Sequence, residues 1–243
     1  MRASTGLLIV VTCLLIGVAL MASCVFGGAI GSGRAVTETR DVSGFDSVEF
    51  AFFGDMTITQ GDEESLTISG DDNIVPLIKS EVEDGVLKIY ADGINISRAV
   101  MPLRYELRVK DLSALQLAGA GSMTTEKLTT ARLAASVTGA GALRIDDLTA
   151  DALDVKLTGV GDTNVTGTVD RQQVLVSGAG SYFGEDLRSG VAEVTISGLG
   201  SARVWATEAL DVSISGAGSV EYKGNPQVKQ TISGLGTVTA LGE

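Results

Sequence analysis

The sequence predicts an all-β chain folded as a single-stranded, right-handed parallel β-helix, a β-solenoid with repeats of 18–20 residues. Two observations predict it. Seven Gly-x-Gly triplets recur down the C-terminal half: Gly119-Ala120-Gly121, Gly139-Ala140-Gly141, Gly159-Val160-Gly161, Gly178-Ala179-Gly180, Gly198-Leu199-Gly200, Gly216-Ala217-Gly218 and Gly234-Leu235-Gly236. Their steps are 20, 20, 19, 20, 18 and 18 residues, and a fixed period of this size marks a repeat architecture. The second observation is alternation. Leu117, Val137, Leu157, Val176, Ile196, Ile214 and Ile232 stand two residues before each triplet, and Leu115, Ala135, Val155, Val174, Val194 and Val212 stand four before. The intervening residues are mostly polar, which is the period of a half-buried strand.

Each element then follows in order. Residues 1–23 read as a secretory signal: Arg2, an apolar run from Leu7 to Met21, then Ala22 and Ser23. Leu20-Met21-Ala22-Ser23-Cys24 matches the pattern in which Cys24 becomes lipid-modified; an uncleaved N-terminal anchor is the alternative. Residues 24–39 are expected to be the lipidated Cys24 and a flexible tether, because the segment is rich in small residues from Gly27 to Gly33. Residues 40–110 alternate less regularly and are assigned to the N-terminal coils and cap, since an open end of a solenoid needs cover. Within them, Ile74 to Val82 is read as a short helical turn or an edge segment, because Pro76 bars a central strand. Residues 111–243 are the regular coils. Their corners need glycine, often at positive φ, and the Ser and Thr residues before the triplets are expected to form a hydroxyl ladder.

Composition excludes several functions. The net charge of −12 argues against nucleic acid and anionic membrane surfaces as partners. The chain has no histidine, which removes the usual catalytic triads and most zinc sites. Neither a dinucleotide fingerprint nor a phosphate-binding Gly-Lys-Ser/Thr loop occurs, so the glycine triplets are read as corners and no cofactor or metal is expected. Polysaccharide-cleaving β-helices are a precedent for catalysis on this shape, but repeats of nearly uniform length leave little room for cleft-forming loops. The chain is therefore read as non-enzymatic.

The stretch from Phe45 to Gly236 carries a family resemblance. Phe45-Asp46-Ser47-Val48, Gly61 before Leu66-Thr67-Ile68, Gly85-Val86-Leu87-Lys88-Ile89, the Ser-Gly-Ala-Gly-Ser turns as at Ser215 to Ser219, and Glu221-Tyr222-Lys223-Gly224-Asn225-Pro226 together resemble the auto-transporter adhesin head GIN domain family. The resemblance implies an envelope protein with a parallel β-helix; the family name implies adhesion and transfers no catalytic residues.

Two functional readings follow. One is a lipid-anchored envelope module, held to the membrane through its N-terminus, that binds glycan or another surface ligand. The other is a spacer or scaffold that binds an envelope protein or self-associates through an exposed solenoid end. Tyr182, Phe183, Trp205 and Tyr222 lie in or near post-turn strands. Phe183 and Tyr222 are expected to face or cap the core; Trp205, beside Val204, is expected to point outward and is the ligand-binding candidate.

Overall fold

The computed structural model describes residues 28–91 and 96–242. The signal segment and Cys24 lie outside the described residues.

The described chain is a parallel β-solenoid. Every pairing between successive coils from residue 114 onward is parallel, and the strands that lead into the corners stay in register: Leu115 lies on Ala135, Val155 on Val174, and Val194 on Val212. The alternating apolar residues therefore stack on their equivalents, and the aliphatic side chains at these positions are almost wholly buried. Each such side chain contributes roughly 1.5–3 kcal/mol before entropy is subtracted. A single coil has nothing to bury them against, so the column exists only as a stack.

The Gly-x-Gly corners keep the backbone ladder unbroken around the bend. The N–H groups of Thr158 and Gly159 both donate to the Val137 carbonyl at 3.0 and 3.1 Å, and Val160 N–H donates to the Gly139 carbonyl at 3.0 Å. The same pattern repeats at neighbouring corners. A Cβ on Gly159 would intrude on the Gly139 carbonyl oxygen, and each corner glycine stands in the same relation to backbone one coil below or, at Gly236, to Ile214. Among the corner glycines only Gly121 and Gly161 have φ in the left-handed region, at 150° and 147°. Close backbone approach, more than handedness, is thus what demands glycine. The expected hydroxyl ladder does not form: Thr138, Thr158, Ser177, Ser197, Ser215 and Ser233 are exposed, and backbone amides make the bonds across the corner.

The N-terminal coils are stacked out of sequence order. Ser47–Phe50 is flanked by Val86–Tyr90 on one side and Ala114–Leu117 on the other. Phe53–Gln60 is likewise flanked by Arg104–Val109 and Ala120–Thr125. The segment 86–109 is therefore the outer coil, and the chain crosses back over 47–60 to begin the regular column. Antiparallel strands close this end. Ser65–Asp71 pairs with Arg104–Val109, and Lys79–Glu83 folds onto Val86–Tyr90 through Asp84 and Gly85. Both residues of that turn have positive φ (50° and 79°), as a two-residue hairpin requires. Pro76 falls in a 3-10 turn, Val75–Leu77, just before this edge strand. Lys79, Glu81 and Glu83 charge the edge, a common protection against further pairing. Phe50 and Tyr105 meet edge to face beneath the cap, with centroids 4.9 Å apart.

The glycine-rich segment is more ordered than its composition suggests. Ala29–Ile30 pairs with Ile96–Arg98, and Ala35–Arg40, expected up to residue 39 to be tether, pairs antiparallel with Ser65–Asp71. The buried Asp71 carboxylate clasps the segment by accepting N–H bonds from Gly33 at 2.7 Å, Val100 at 2.8 Å and Met101 at 2.9 Å. Gly31 is required there because a Cβ would strike that carboxylate. Small residues that read as flexible are present so that the backbone can approach Asp71. Burial pushes the Asp71 carboxyl up, but the donors from Met101, Gly33 and Val100 outweigh it and hold it below its ordinary value.

Two predictions follow from these contacts. Gly159→Ala lowers stability by at least about 2 kcal/mol, whereas Gly61→Ala, with open space around its Cβ, changes it by less than about 0.5 kcal/mol; urea unfolding of the pair measures the contrast. Because the folded-state value of Asp71 is depressed, its stabilisation is complete above the unfolded value of about 3.9 and is lost as pH falls through the folded value. The gap in melting temperature between wild type and Asp71→Asn is therefore widest near neutrality and closes as the pH falls below about 4.

Candidate functional site

The column is interrupted where coils of unequal length meet. The step from Gly178 to Gly198 is 20 residues and the next, to Gly216, is 18. The surplus is extruded as a bulge. Gly184 pairs with Val204, but the next pair is Arg188 with Trp205, so Glu185, Asp186 and Leu187 have no partner on the following strand. Bulges re-aim side chains and recur near binding sites. Leu187 stays buried, while Glu185 and Asp186 are thrown outward over the coils that follow.

The two carboxylates become a shelf. Glu185 Oε1 accepts from Arg203 Nη1 at 3.4 Å, and Arg203 Nε donates to Glu221 Oε2 at 2.7 Å. Lys223 Nζ donates to Asp186 Oδ1 at 3.2 Å. The Arg203 guanidinium lies 5.5 Å from the centroid of the Phe183 ring. Its bond to Glu221, with the charges of Glu221 and Glu185, pushes the guanidinium up and keeps it ionised. Trp205 lies two residues beyond Arg203, half-buried, in register between Arg188 and Lys223. Gly224 makes room for it: a Cβ there would lie 3.2 Å from the indole Cδ1 and closer still to the Ala206 carbonyl.

A polar relay inside the column holds the shelf from below. Gln172 occupies a core position between Leu153 and Ala192, and Tyr182 stands between Thr163 and Ala202, small neighbours that leave space for its ring. Tyr182 OH donates to Gln172 Oε1 at 3.0 Å, and Gln172 Nε2 donates to Ser189 Oγ at 2.9 Å. Ser189 Oγ in turn donates to the Trp205 carbonyl at 2.7 Å. Burial, then the charge of Glu185, pushes the Tyr182 phenol above its usual range, so it remains a neutral donor.

The sequence-derived candidates divide accordingly. Trp205 is half-buried on the outer face, beside the cluster and in register between Arg188 and Lys223. Tyr182 is wholly in the core, and Tyr222 packs partly against it. Phe183, expected to face or cap the core, instead points outward beneath Arg203, because its neighbour Tyr182 takes the inward position of the alternating strand. Gly119, Gly121, Gly139, Gly141, Gly159, Gly161, Gly178, Gly180, Gly198, Gly200, Gly216, Gly218, Gly234 and Gly236 are structural corners. Glu185, Asp186 and Arg203 were not singled out in sequence, and Glu221 and Lys223 entered only through the family pattern; the fall in coil length from 20 to 18 residues was the signal that could have found them.

A second surface feature runs along the corners. The middle residues of the triplets form an exposed apolar ridge that includes Val160, Leu199 and Leu235. An open groove at its C-terminal part is lined by Ser181, Leu199, Ser201, Ala217, Ser219 and Leu235.

Chemically, the shelf offers partly covered aromatic rings set among paired charges, an arrangement suited to recognition. Its carboxylates are engaged with Arg203 and Lys223, and among the described residues no group of three or more metal-ligating acidic or sulfur side chains converges.

The comparisons with known proteins agree with this architecture. The family model described as "Putative auto-transporter adhesin, head GIN domain" matches residues 44–226, ending just beyond Gly224. A structure described as a putative adhesin from Bacteroides fragilis superposes with a TM-score of 0.85 at 29% identity, covering 88% of this chain and 100% of that one. A structure described as a putative lipid binding protein from Parabacteroides distasonis gives 0.72 at 25% identity, covering 88% and 99%. A putative adhesin from the same organism gives 0.69 at 22% identity, covering 88% and 99%, a likeness of fold alone. No curated protein matches the chain.

Proposed function

The chain belongs to the family described as "Putative auto-transporter adhesin, head GIN domain", and from that premise we propose that it is a non-catalytic adhesion module of the cell envelope that recognises surface glycans. The observation that carries this reading is the shelf: a bulged stretch of the regular coils places Phe183 and Trp205 with paired charges on an outer face. Aromatic rings combine a large apolar surface with defined geometry, which suits the C–H face of a sugar ring. Much of the shelf's floor is Glu221-Tyr222-Lys223-Gly224, part of the sequence pattern that carries the family resemblance. The absence of histidine and the pairing of the shelf's carboxylates support recognition over acid–base chemistry.

Anchoring is part of the same proposal. Cys24 carries the lipid, and the solenoid stands on the membrane through the segment that Asp71 clasps to the cap. No helix among the described residues is long and apolar enough to cross a membrane.

A second reading is association with an envelope protein or another copy of the chain. It is favoured by Val228 and Ile232, exposed at 40% and 41%, whose counterparts Leu210 and Ile214 one coil earlier are buried.

Screening purified residues 30–243 against cell-wall and surface glycans, with a heat-unfolded control, is expected to give saturable binding that unfolding abolishes. Failure of every glycan to bind shifts the assignment to the second reading. In cells, Cys24→Ala is expected to abolish labelling by a radioactive fatty acid; persistent labelling would refute the anchor.

A further inference from the structure

We propose that the last described coil, 227–242, is a homotypic contact: it pairs antiparallel with the same coil of a second copy, end to end about a two-fold axis. This rests on the second reading above, association, and is independent of glycan recognition. Among the described residues, Gln227–Ile232 pairs with Ala209–Ile214 alone and Leu235–Gly242 with Ala217–Lys223 alone. The far edge of both strands therefore presents unpaired N–H and C=O groups, a template for a further strand. Of the eight large apolar side chains exposed among the described residues, four belong to this coil: Val228, Ile232, Leu235 and Leu241. Val228 and Ile232 hold the positions at which Leu210 and Ile214 are buried one coil earlier, so they are core residues without a next layer.

Charge selects the occupant. A chain of net charge −12 repels its own copies over most of its surface. This coil is the exception: from 227 to 242 its one charged residue is Lys229, which Asp211 of the preceding coil holds at 2.7 Å. A charged partner finds nothing here to pair with, whereas a second copy meets no repulsion. The edge also matches itself, because the alternating donors and acceptors of one strand fit those of an antiparallel copy. Gln230 takes the inward place held by Val194 and Val212 in the two preceding coils. Its amide both donates and accepts, so it too is complementary to its own kind.

The opposite end decides the symmetry. There the outer coil is covered by antiparallel strands whose edges are charged, by Lys79, Glu81 and Glu83 on one side and Glu38 and Arg40 on the other. Head-to-tail stacking into a fibre is thereby blocked, and the remaining contact is isologous and closes at two copies. The leading segment enters at the covered end, through Ala35–Arg40 and the Asp71 clasp. Two copies joined at their open ends therefore send their N-termini in opposite directions, the geometry of a contact between facing surfaces.

Sedimentation of residues 28–243, which include every described strand, is expected to show a concentration-dependent equilibrium of monomer and dimer with no larger species. Ile232→Lys and, sparing the inward positions, Thr231→Lys should each weaken the dimer about tenfold or more by setting like charges against each other. Thr195→Lys, at the equivalent place two coils earlier and flanked by strands on both sides, leaves it unchanged. Phosphatidylcholine vesicles that carry the protein by an N-terminal histidine tag on a nickel-chelating lipid should cluster, and should stay dispersed with Ile232→Lys. A monomer at every concentration overturns the contact and leaves the second reading only its envelope-protein form. Association that survives both substitutions keeps self-association but overturns this coil as its site. Open-ended growth overturns the two-fold arrangement, and dimers that fail to cluster vesicles overturn the contact between facing surfaces.

Discussion

The close passage of backbone over backbone at the corners is the constraint from which the rest of the molecule follows. Parallel coils stack at the hydrogen-bonding distance of a sheet, about 4.8 Å. At a bend that spacing leaves no room for a side chain between one coil's amide and the next coil's carbonyl. Glycine at both ends of the triplet meets the demand, and the carbonyl ladder through Val137, Gly139 and their equivalents continues around the corner. Once the corners are pinned, the alternating strands must superpose, and their aliphatic residues become a continuous core.

A column so regular makes its departures conspicuous. The two ends depart by necessity. At the N-terminal end the outer coil, 86–109, arrives late in sequence and is covered by antiparallel strands, with Asp71 binding the leading segment to them. The internal departure at Glu185–Leu187, where three residues lose their partners on the following strand, is different in kind. A shortened coil follows a long one, and the surplus forms a bulge that the core supports with Gln172, Tyr182 and Ser189 instead of aliphatic residues. Polar groups in a core are tolerated only when satisfied, and here the relay ends on the Trp205 carbonyl. Core polarity and surface aromatics thus have one cause, the need to hold an irregular strand in a fixed shape.

Solenoids present long faces on which equivalent residues repeat, which suits broad and weak contacts. The bulge breaks that equivalence, giving the molecule a place where Phe183, Arg203 and Trp205 meet groups from the coils on either side. Paired charges orient the side chains at its rim, although such exposed pairs contribute little to stability.

The sequence by itself determined the repeat, the strands and the corners. These depend on local spacing: a glycine every 18–20 residues and an apolar residue every second position leave one way to stack. It also put Trp205 on the outer face, because alternation beside Val204 settles which way a strand residue points. The tertiary structure alone decided the order of the N-terminal coils, the ordering of 29–40 and the shelf. Strand order among 47–60, 86–109 and 114–125 is a long-range choice that no local period records. Gly31 reads as flexible until Asp71, forty residues on, is seen to need its missing side chain. The shelf joins Glu185, Arg203 and Glu221 from three successive coils, and only the register of the stacked coils brings such residues together.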